Sequence, residues 1–484
     1  MASATNQPGG IWIGIAQDEL FFGWKRWLSF ACIWVWSCLS MRFSIASGVF
    51  SRLPQLLSIP NEVVLLSTAC TLLVILSCSK CIPTVVGSKS IMGVAGGFLS
   101  MGSLLYCAGM MAGSVELVVA GMVLGGVAIA LLKVAWGEMY SVMGLQRSLV
   151  SLSYAVIFSS VLVLLAMGLP LIVLEIALLG ASFPCAWLVY SGHQDFGRTR
   201  MAERAAPVSV PLRFSPALLI LPLMVGFSYG IVKGVLPLVA ADANDSVRGV
   251  LIVASAVAGV VLLAFSYRLN DRFGAAQVYS VGLIFVVAGL IALAIRGPFL
   301  RFALSIHDVG FSIFYFFMIV HWGDLSRRTG LPIVRTYATG YFCFQGIQAL
   351  TSVAVYFATR DGSFSDAPVL FTLSAVFALF IASLLLFGDG RSPVRKWLVA
   401  QDSLGGRPDA VSESCRVLAE RHELSPRERE VLALLARGRN ASHIAQSLCI
   451  SPDTAKSHIK SIYRKMSVHT QQELLDRIEG LTVD

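Results

Sequence analysis

Two sets of side chains in this 484-residue chain are placed to do chemistry, and they need opposite surroundings. The first lies near the C-terminus. Lys456, Ser457, Lys460 and Arg464 recur at three- and four-residue spacing, so on a helix they share one face. Ammonium, guanidinium and hydroxyl groups in that array donate to phosphate oxygens and to acceptors on base edges. The second set consists of ionisable residues inside long apolar runs: Arg42, Lys133, Glu175, Lys233 and the His307-Asp308 pair. Charge at such positions is costly and ordinarily faces a cavity or a partner. Arg42 and Lys233 each fall about two thirds of the way along their runs, and two cations at matching depth suit an anionic or carboxylate-bearing small molecule. Lys133 either extends that site or snorkels to the nearer surface. Glu175 and Asp308 supply counter-charges, which leaves a second reading open, in which these residues form internal ion pairs. Trp34 and Trp36 are placed to stack on a ligand, and Gln345 and Gln348 share a face nearby.

The elements that must position these residues follow from composition. The chain is 56% hydrophobic and 13% charged, against about 25% charged in ordinary globular proteins. That excess of apolar side chains points to a membrane protein of many spans. Runs of about 20 apolar residues give twelve candidates, near 27–50, 61–79, 90–111, 115–135, 148–167, 169–190, 214–239, 248–268, 275–296, 299–322, 333–358 and 367–388. Alternate connecting segments hold seventeen Lys and Arg against five in the others. By the positive-inside rule this puts both termini in the cytoplasm of an inner-membrane protein, in agreement with an even span count. Glycines are dense in the third and fourth spans, among them Gly93, Gly97, Gly102 and Gly121, as expected where helices pack closely in lipid. Asp18 and Glu19 precede the first apolar run without a cleavage site, so no signal peptide is expected.

The polar stretch 191–213 divides the spans into two sets of six, and Arg268-Leu-Asn-Asp-Arg-Phe-Gly274 stands between spans eight and nine. Layout and loop motif resemble the major facilitator superfamily, and the resemblance implies a pseudo-symmetric bundle whose first and seventh spans line a central cavity. The corresponding loop of the first half, Ser79 to Ser90, lacks the acidic residue of the motif.

After 389 the pattern changes. Residues 389–423 read as a linker, with 411–422 able to form a helix through Val411, Cys415, Leu418 and Ala419. Ser425 before Pro426, with Glu428 three residues after the serine, is a capping-box start for a helix buried through Val431, Leu432, Leu434 and Leu435 and ended at Gly438. A second helix over 441–448 buries Ile444, Ala445 and Leu448. Ser451 caps a third, which buries Ala455, Ile459 and Ile462 and turns the basic stripe outward, and a fourth begins after Thr470. Helix, short turn and basic second helix make a helix-turn-helix, whose second helix enters the major groove. Leu424-Ser-Pro-Arg-Glu-Arg-Glu-Val-Leu and Thr454-Ala-Lys-Ser-His-Ile-Lys-Ser-Ile-Tyr-Arg-Lys-Met-Ser-Val-His resemble the LuxR-type (NarL or GerE type) DNA-binding domain. Ala455 and His443 depart from residues common in that family. The resemblance implies that Lys456, Ser457 and Lys460 face base edges, that Thr454, Tyr463 and Lys465 hold the backbone, and that the fourth helix dimerises the domain on double-stranded promoter DNA, with RNA polymerase a further partner.

The expected fold is therefore all-α. Residues 1–26 are a cytoplasmic segment, 27–190 and 214–388 the two membrane halves, 191–213 their connecting loop and 424–484 a four-helix DNA-binding domain. The expected function is a membrane-embedded one-component transcription regulator that senses a small molecule; the alternative is a secondary transporter with a regulatory tail. An enzyme is not expected, since no nucleophile-base or metal constellation occurs. Cys78-Ser-Lys-Cys81 is a lone CxxC without further ligands, and no cofactor is implied.

Overall fold

The computed structural model describes residues 8–46, 60–200 (apart from 80, 81 and 83), 219–239, 244–268, 275–294, 300–360 (apart from 330), 373–376 and 379. In the tail it describes 415, 418–419, 421–436, 444–445, 448, 451–468, 470, 473–474 and 477. The described residues contain helices and no strands. The chain divides into two compact units, Met1–Leu398 and Val399–Asp484, each with its own core.

The larger unit comprises α1 (Pro8–Phe21), α2 (Trp24–Ala46), α3 (Pro60–Ser77), α4 (Lys89–Ala112), α5 (Val115–Met143), α6 (Leu145–Ala166), α7 (Leu171–Arg200), α8 (Ile220–Val239), α9 (Asn244–Arg268), α10 (Ala275–Ala294), α11 (Leu300–Thr329) and α12 (Ile333–Arg360). Helices α2 to α12 stand where the first eleven apolar runs lie. The twelfth run is described only at 373–376 and 379. Among the described residues, five helical stretches are long and apolar enough to cross a membrane: Lys89–Ala112, Val115–Met143, Leu145–Ala166, Val173–Asp195 and Phe302–Ser326. Asp271 and Arg272 of the loop motif lie outside the described residues. So does Cys81; Cys78 is exposed and free.

Three features depart from the sequence reading. The segment before the first span is a helix, and α1 is strapped onto the bundle. Glu19 is fully buried and accepts from Arg26 Nη2 at 2.7 Å and Arg147 Nη1 at 3.2 Å. Trp12 Nε1 donates to Ser266 Oγ at 3.1 Å and its ring meets Tyr267 edge-on at 5.2 Å, so α1 bridges α6 and α9. Second, α7 runs on to Arg200, through residues expected to be loop. Asp195 pairs with Lys25 at 2.6 Å, which ties this polar extension to α2. Third, the loop before α4 is held by a carboxylate after all, although from another helix. Buried Glu138 on α5 accepts from Val86 N at 2.7 Å, Val85 N at 3.0 Å and Thr84 Oγ1 at 3.1 Å. The glycine-rich spans do pack closely at Gly102 and Gly121, where a Cβ on Gly121 would lie 2.6 Å from the Gly102 carbonyl oxygen. Gly93 and Gly97, by contrast, face open space.

The smaller unit contains α13 (Pro426–Leu435) and α14 (Pro452–Met466). Cys415, Leu418 and Ala419, expected to precede the domain in the linker, are buried in its core beside Leu424, Val431, Leu432 and Leu435. The domain therefore begins earlier than 424. Glu423 takes the left-handed conformation (φ 49°) that turns this preceding segment into α13. The expected second helix is described at Ile444 and Ala445, both helical and buried, and the fourth at Glu473, Leu474 and Arg477. Gly438 and His443 lie outside the described residues.

Candidate functional site

The tail site is built by caps and a cross-brace. Ser425 Oγ accepts from Glu428 N at 3.3 Å and Glu428 Oε2 accepts from Ser425 N at 2.8 Å, the reciprocal capping box. Helix α14 starts at Ser451, whose hydroxyl accepts from Thr454 N at 3.1 Å, and Asp453 lies in its first turn. It ends at Ser467 in the left-handed conformation (φ 52°), where Val468 N reaches back to Tyr463 O at 3.0 Å. Ala455, Ile462 and Met466 are buried and Ile459 partly so, an i, i+4, i+7, i+11 stripe. The opposite face is exposed at Thr454, Lys456, Ser457, Lys460 and Arg464, with Tyr463 half-buried at its margin. The Lys456–Asp453 pair, 3.5 Å apart and open to solvent, is too weak to keep Lys456 from another anion.

Lys465 is placed differently from the other basic residues. Its Nζ donates to Glu428 Oε2 at 2.8 Å and Glu423 O at 3.1 Å, while Ser461 Oγ donates to Glu428 Oε1 at 2.6 Å. Sequence spacing shows the capping box but not this brace between α13 and α14, because its partners lie 33 and 37 residues apart. Burial pushes the Glu428 carboxyl pKa up, but the bonds from Lys465, Ser461 and Ser425 outweigh it and bring it down to about 2.

The membrane unit holds a cavity of about 280 Å³. Its lining comes from α2, α3, α5 and α6 and from α8, α9, α11 and α12, two sets related by a shift of six helices. Asp308, Phe311, Ser312 and Tyr315 line it from α11 at the spacing of one helical face. At one end Lys233 lies over the Tyr229 ring at 5.2 Å, and Tyr229 stacks on Phe311 at 3.5 Å between centroids. Asp308 lines this end, within Coulombic reach of Lys233 and adjacent to Ser255, and buried Glu62 of α3 is within Coulombic reach of the same lysine. At the other end Lys133 lies over Tyr315 at 5.7 Å and Tyr341 at 5.1 Å. Both rings are buried, so Lys133 turns inward rather than snorkelling.

Of the residues picked out by sequence, the structure brings together Trp34, Lys133, Lys233 and Asp308 around one cavity, with Gln345 and Gln348. Glu175 is not among them; it sits on α7, none of whose described side chains lines the cavity. Arg42 belongs to α2, but its side chain lies outside the described residues. Trp36 lines the cavity with its Nε1 bonded to Ser103 Oγ at 2.7 Å, which fixes its ring. Sequence reading passed over Glu62, a buried acid beside Ser352 and within Coulombic reach of Lys233, and the aromatic walls Phe30, Trp136, Tyr229 and Tyr315. The i, i+4 spacing of Tyr229 and Lys233, and of Phe311 and Tyr315, was the available signal.

Comparison with known proteins agrees with both halves of this picture. Residues 422–478 match the family described as bacterial regulatory proteins, luxR family. The tail is similar to the HTH-type transcriptional regulator YhjB of Escherichia coli (strain K12), 40% identical over 50 residues, which are 10% of this chain and 25% of that protein. It is also similar to the transcriptional regulatory protein DesR of Bacillus subtilis (strain 168), 39% identical over 59 residues, 12% of this chain and 30% of that one. The chain thus spans under a third of either relative. The body is similar in fold to a bacterial homologue of the iron transporter ferroportin, crystallised in an outward-facing state. The TM-score is 0.51 at 12% identity, covering 76% of this chain and 99% of the other. The C-terminal residues 422–478 are a LuxR-family helix-turn-helix domain, and the helical body shares the fold of that ferroportin homologue.

Proposed function

We propose that this chain is a membrane-embedded one-component transcription regulator. Its twelve-span body, in the inner membrane with both termini cytoplasmic, binds a small molecule, and its tail binds promoter DNA as a dimer. The observation that carries the reading is the exposed face of Lys456, Ser457, Lys460 and Arg464 on a capped, well-packed second helix of a LuxR-family domain, in the same chain as a cavity lined by charged residues. Lys456, Ser457 and Lys460 read base edges, and Thr454, Tyr463 and Arg464 approach phosphates. Lys465 contributes mainly through its brace to Glu428. The ligand acts by favouring one arrangement of the bundle over another, the only way binding shifts such an equilibrium.

The test is a footprint. The full-length protein in nanodiscs protects a defined site upstream of its own or neighbouring genes, and the protection changes when the ligand is added. Absence of any sequence-specific protection overturns the reading. A second reading, a secondary transporter with a regulatory tail, draws on the transporter-like fold and the buried Asp308 in the cavity. Ligand accumulation in proteoliposomes would establish it.

A further inference from the structure

The two ends of the cavity differ in charge, and the difference specifies an occupant. At the Lys233 end Asp308 provides an anion on the cavity wall. At the Lys133 end the ammonium meets only the faces of Tyr315 and Tyr341 among the described residues. The acids of the neighbouring elements lie elsewhere: Glu62 of α3 and Asp308 of α11 are within Coulombic reach of Lys233, and neither of Lys133. Glu138, five residues along α5, accepts from Thr84, Val85 and Val86. Asp308 lies seven residues before Tyr315 on α11, about 10 Å along the helix axis. A cation–π contact contributes about 0.5–2 kcal/mol and leaves the charge in place. A buried ammonium without an anion is costly.

The walls around this ammonium are aromatic and already ordered. Phe30 stacks near Trp34 at 6.2 Å and packs on Trp136 at 4.9 Å, and Trp34 meets Phe316 edge-on at 5.0 Å. Trp136 is fixed by its Nε1 bond to Ser29 Oγ at 3.0 Å. One helical turn beyond Tyr341, Gln345 lines the cavity with its Oε1 lacking a hydrogen-bond partner. The volume of about 280 Å³ lies at the lower limit of small-molecule sites, roughly 300–1,000 Å³, and fits one ring with a short chain.

We propose that this cavity takes a small aromatic monocarboxylate, with the carboxylate on Lys133 and the ring among Phe30, Trp34 and Tyr315. The assignment rests on the ligand-binding role given to the cavity in the proposed function. An amine meets Lys133 as a like charge. A dicarboxylate brings its second anion toward Asp308, and an alkanoate leaves the aromatic walls without stacking partners.

The experiment titrates the full-length protein in nanodiscs and follows tryptophan fluorescence, since Trp34, Trp36 and Trp136 line the cavity. The probes are 3-phenylpropanoate, 3-phenylpropan-1-ol, phenethylamine, octanoate and succinate. The expected result is saturable quenching by 3-phenylpropanoate, with the neutral alcohol of the same carbon skeleton at least about 10-fold weaker for want of the charge-assisted bond. Octanoate is also weaker, and the amine and succinate are silent. Lys133→Gln brings the acid down to the affinity of the alcohol, while Lys133→Arg keeps it within a few-fold. The proposal is overturned if the alcohol, amine or octanoate binds as tightly as the acid, if no probe binds, or if Lys133→Gln leaves the acid unaffected. The probe comparison on the unmutated protein needs no variant to fold. A footprint in parallel separates the two claims. Quenching without any change in DNA protection overturns the sensing role and leaves the ligand assignment standing.

Discussion

Glu428 joins α13 to the basic helix α14, and its replacement by glutamine should separate the packing of this domain from its electrostatics. In the folded domain its carboxyl pKa is about 2, against 4.5 for the ordinary side chain. The gap corresponds to at most about 3.4 kcal/mol at 1.36 kcal/mol per unit. The carboxylate side chain is 7% exposed but Lys465 is 34% exposed, and solvent screening brings the figure to about 1.5 kcal/mol. The folded value is depressed, so this stabilisation is fully present above about 4.5 and is lost as pH falls toward about 2. Glu428→Gln keeps an amide oxygen for Ser425 but no charge for Lys465. Urea denaturation of the 399–484 fragment, followed by circular dichroism at pH 7, 5, 3.5 and 2.5, provides the measurement. The variant should be about 1.5 kcal/mol less stable at pH 7, and the two proteins should converge toward pH 2.5. The other carboxylates titrate in both proteins, so the difference isolates this one. A double-mutant cycle with Lys465→Gln should return most of that energy as coupling between the two residues. Parallel pH profiles, or a coupling near zero, would refute the brace and return Lys465 to the set of free DNA-facing cations.

Three further outcomes are expected. Replacing Lys456 and Lys460 together by alanine should abolish specific DNA binding and, where each neutralises a phosphate, flatten the salt dependence of residual binding by about 0.9 in log–log slope per contact; an unchanged slope with lost specificity would mean that both lysines read bases alone. Gly137 faces the Tyr337 ring, which a Cβ would approach to 2.6 Å, and Tyr337 is fully buried; Gly137→Ala should cost at least about 1–3 kcal/mol by overpacking, read as a lower midpoint in thermal unfolding of the full-length protein, and an unchanged midpoint would contradict that contact. Glu19→Gln should weaken the hold of α1 on Arg26 and Arg147, the latter keeping Asp18 at 3.4 Å, at a cost of about 1.5–3 kcal/mol, so amide exchange in α1 should quicken roughly 10- to 100-fold, and retained protection would show that α1 is held by other contacts.

What could be read from the sequence was what is local. The capping box of α13, the Ser451 cap, the buried stripe of α14 and its exposed basic face need only neighbours three to eleven residues away, and the structure reproduces them. Helices α2 to α12 were legible because each follows a long apolar run. Hydropathy does not register a helix that leaves the apolar layer, so the polar extension of α7 through His193, Gln194 and Asp195 read as loop until Lys25 supplied its partner. Helix α1 carries three glycines and two acids and resembles an unstructured lead-in; its anchor, Arg147, lies 128 residues from Glu19. Whether Lys133 faced the surface or the interior depended on Tyr315 and Tyr341, which lie on two helices of the other half. Glu175 looked equivalent to Asp308 by hydropathy. What separates them is which helices line the cavity, and that is a property of the bundle.

The position of Lys133 also bears on how an occupant would act. A ligand changes a conformational balance only through contacts that differ between the two arrangements. Lys133 is carried by α5 in the first half, whereas the two rings beneath its ammonium belong to α11 and α12 in the second. This contact therefore spans the boundary between the halves. One helical turn further along α5, Gly137 meets Tyr337 of α12, whose hydroxyl donates to Ile319 O on α11. On the proposed reading, a carboxylate that draws the ammonium away from Tyr315 and Tyr341 replaces an inter-half contact with a bond to the ligand, about 6 Å from one of the tightest approaches of the two halves. A neutral occupant of the same shape fills the cavity and leaves the cation–π contacts intact, and so lacks this source of differential affinity. The charge of the ligand, more than its size, then decides whether binding is transmitted. If so, 3-phenylpropan-1-ol at saturating concentration should occupy the site and leave the footprint of the tail on DNA unchanged, whereas 3-phenylpropanoate at equal occupancy should alter it. Equal effects at equal occupancy would place the switch outside the Lys133 contact.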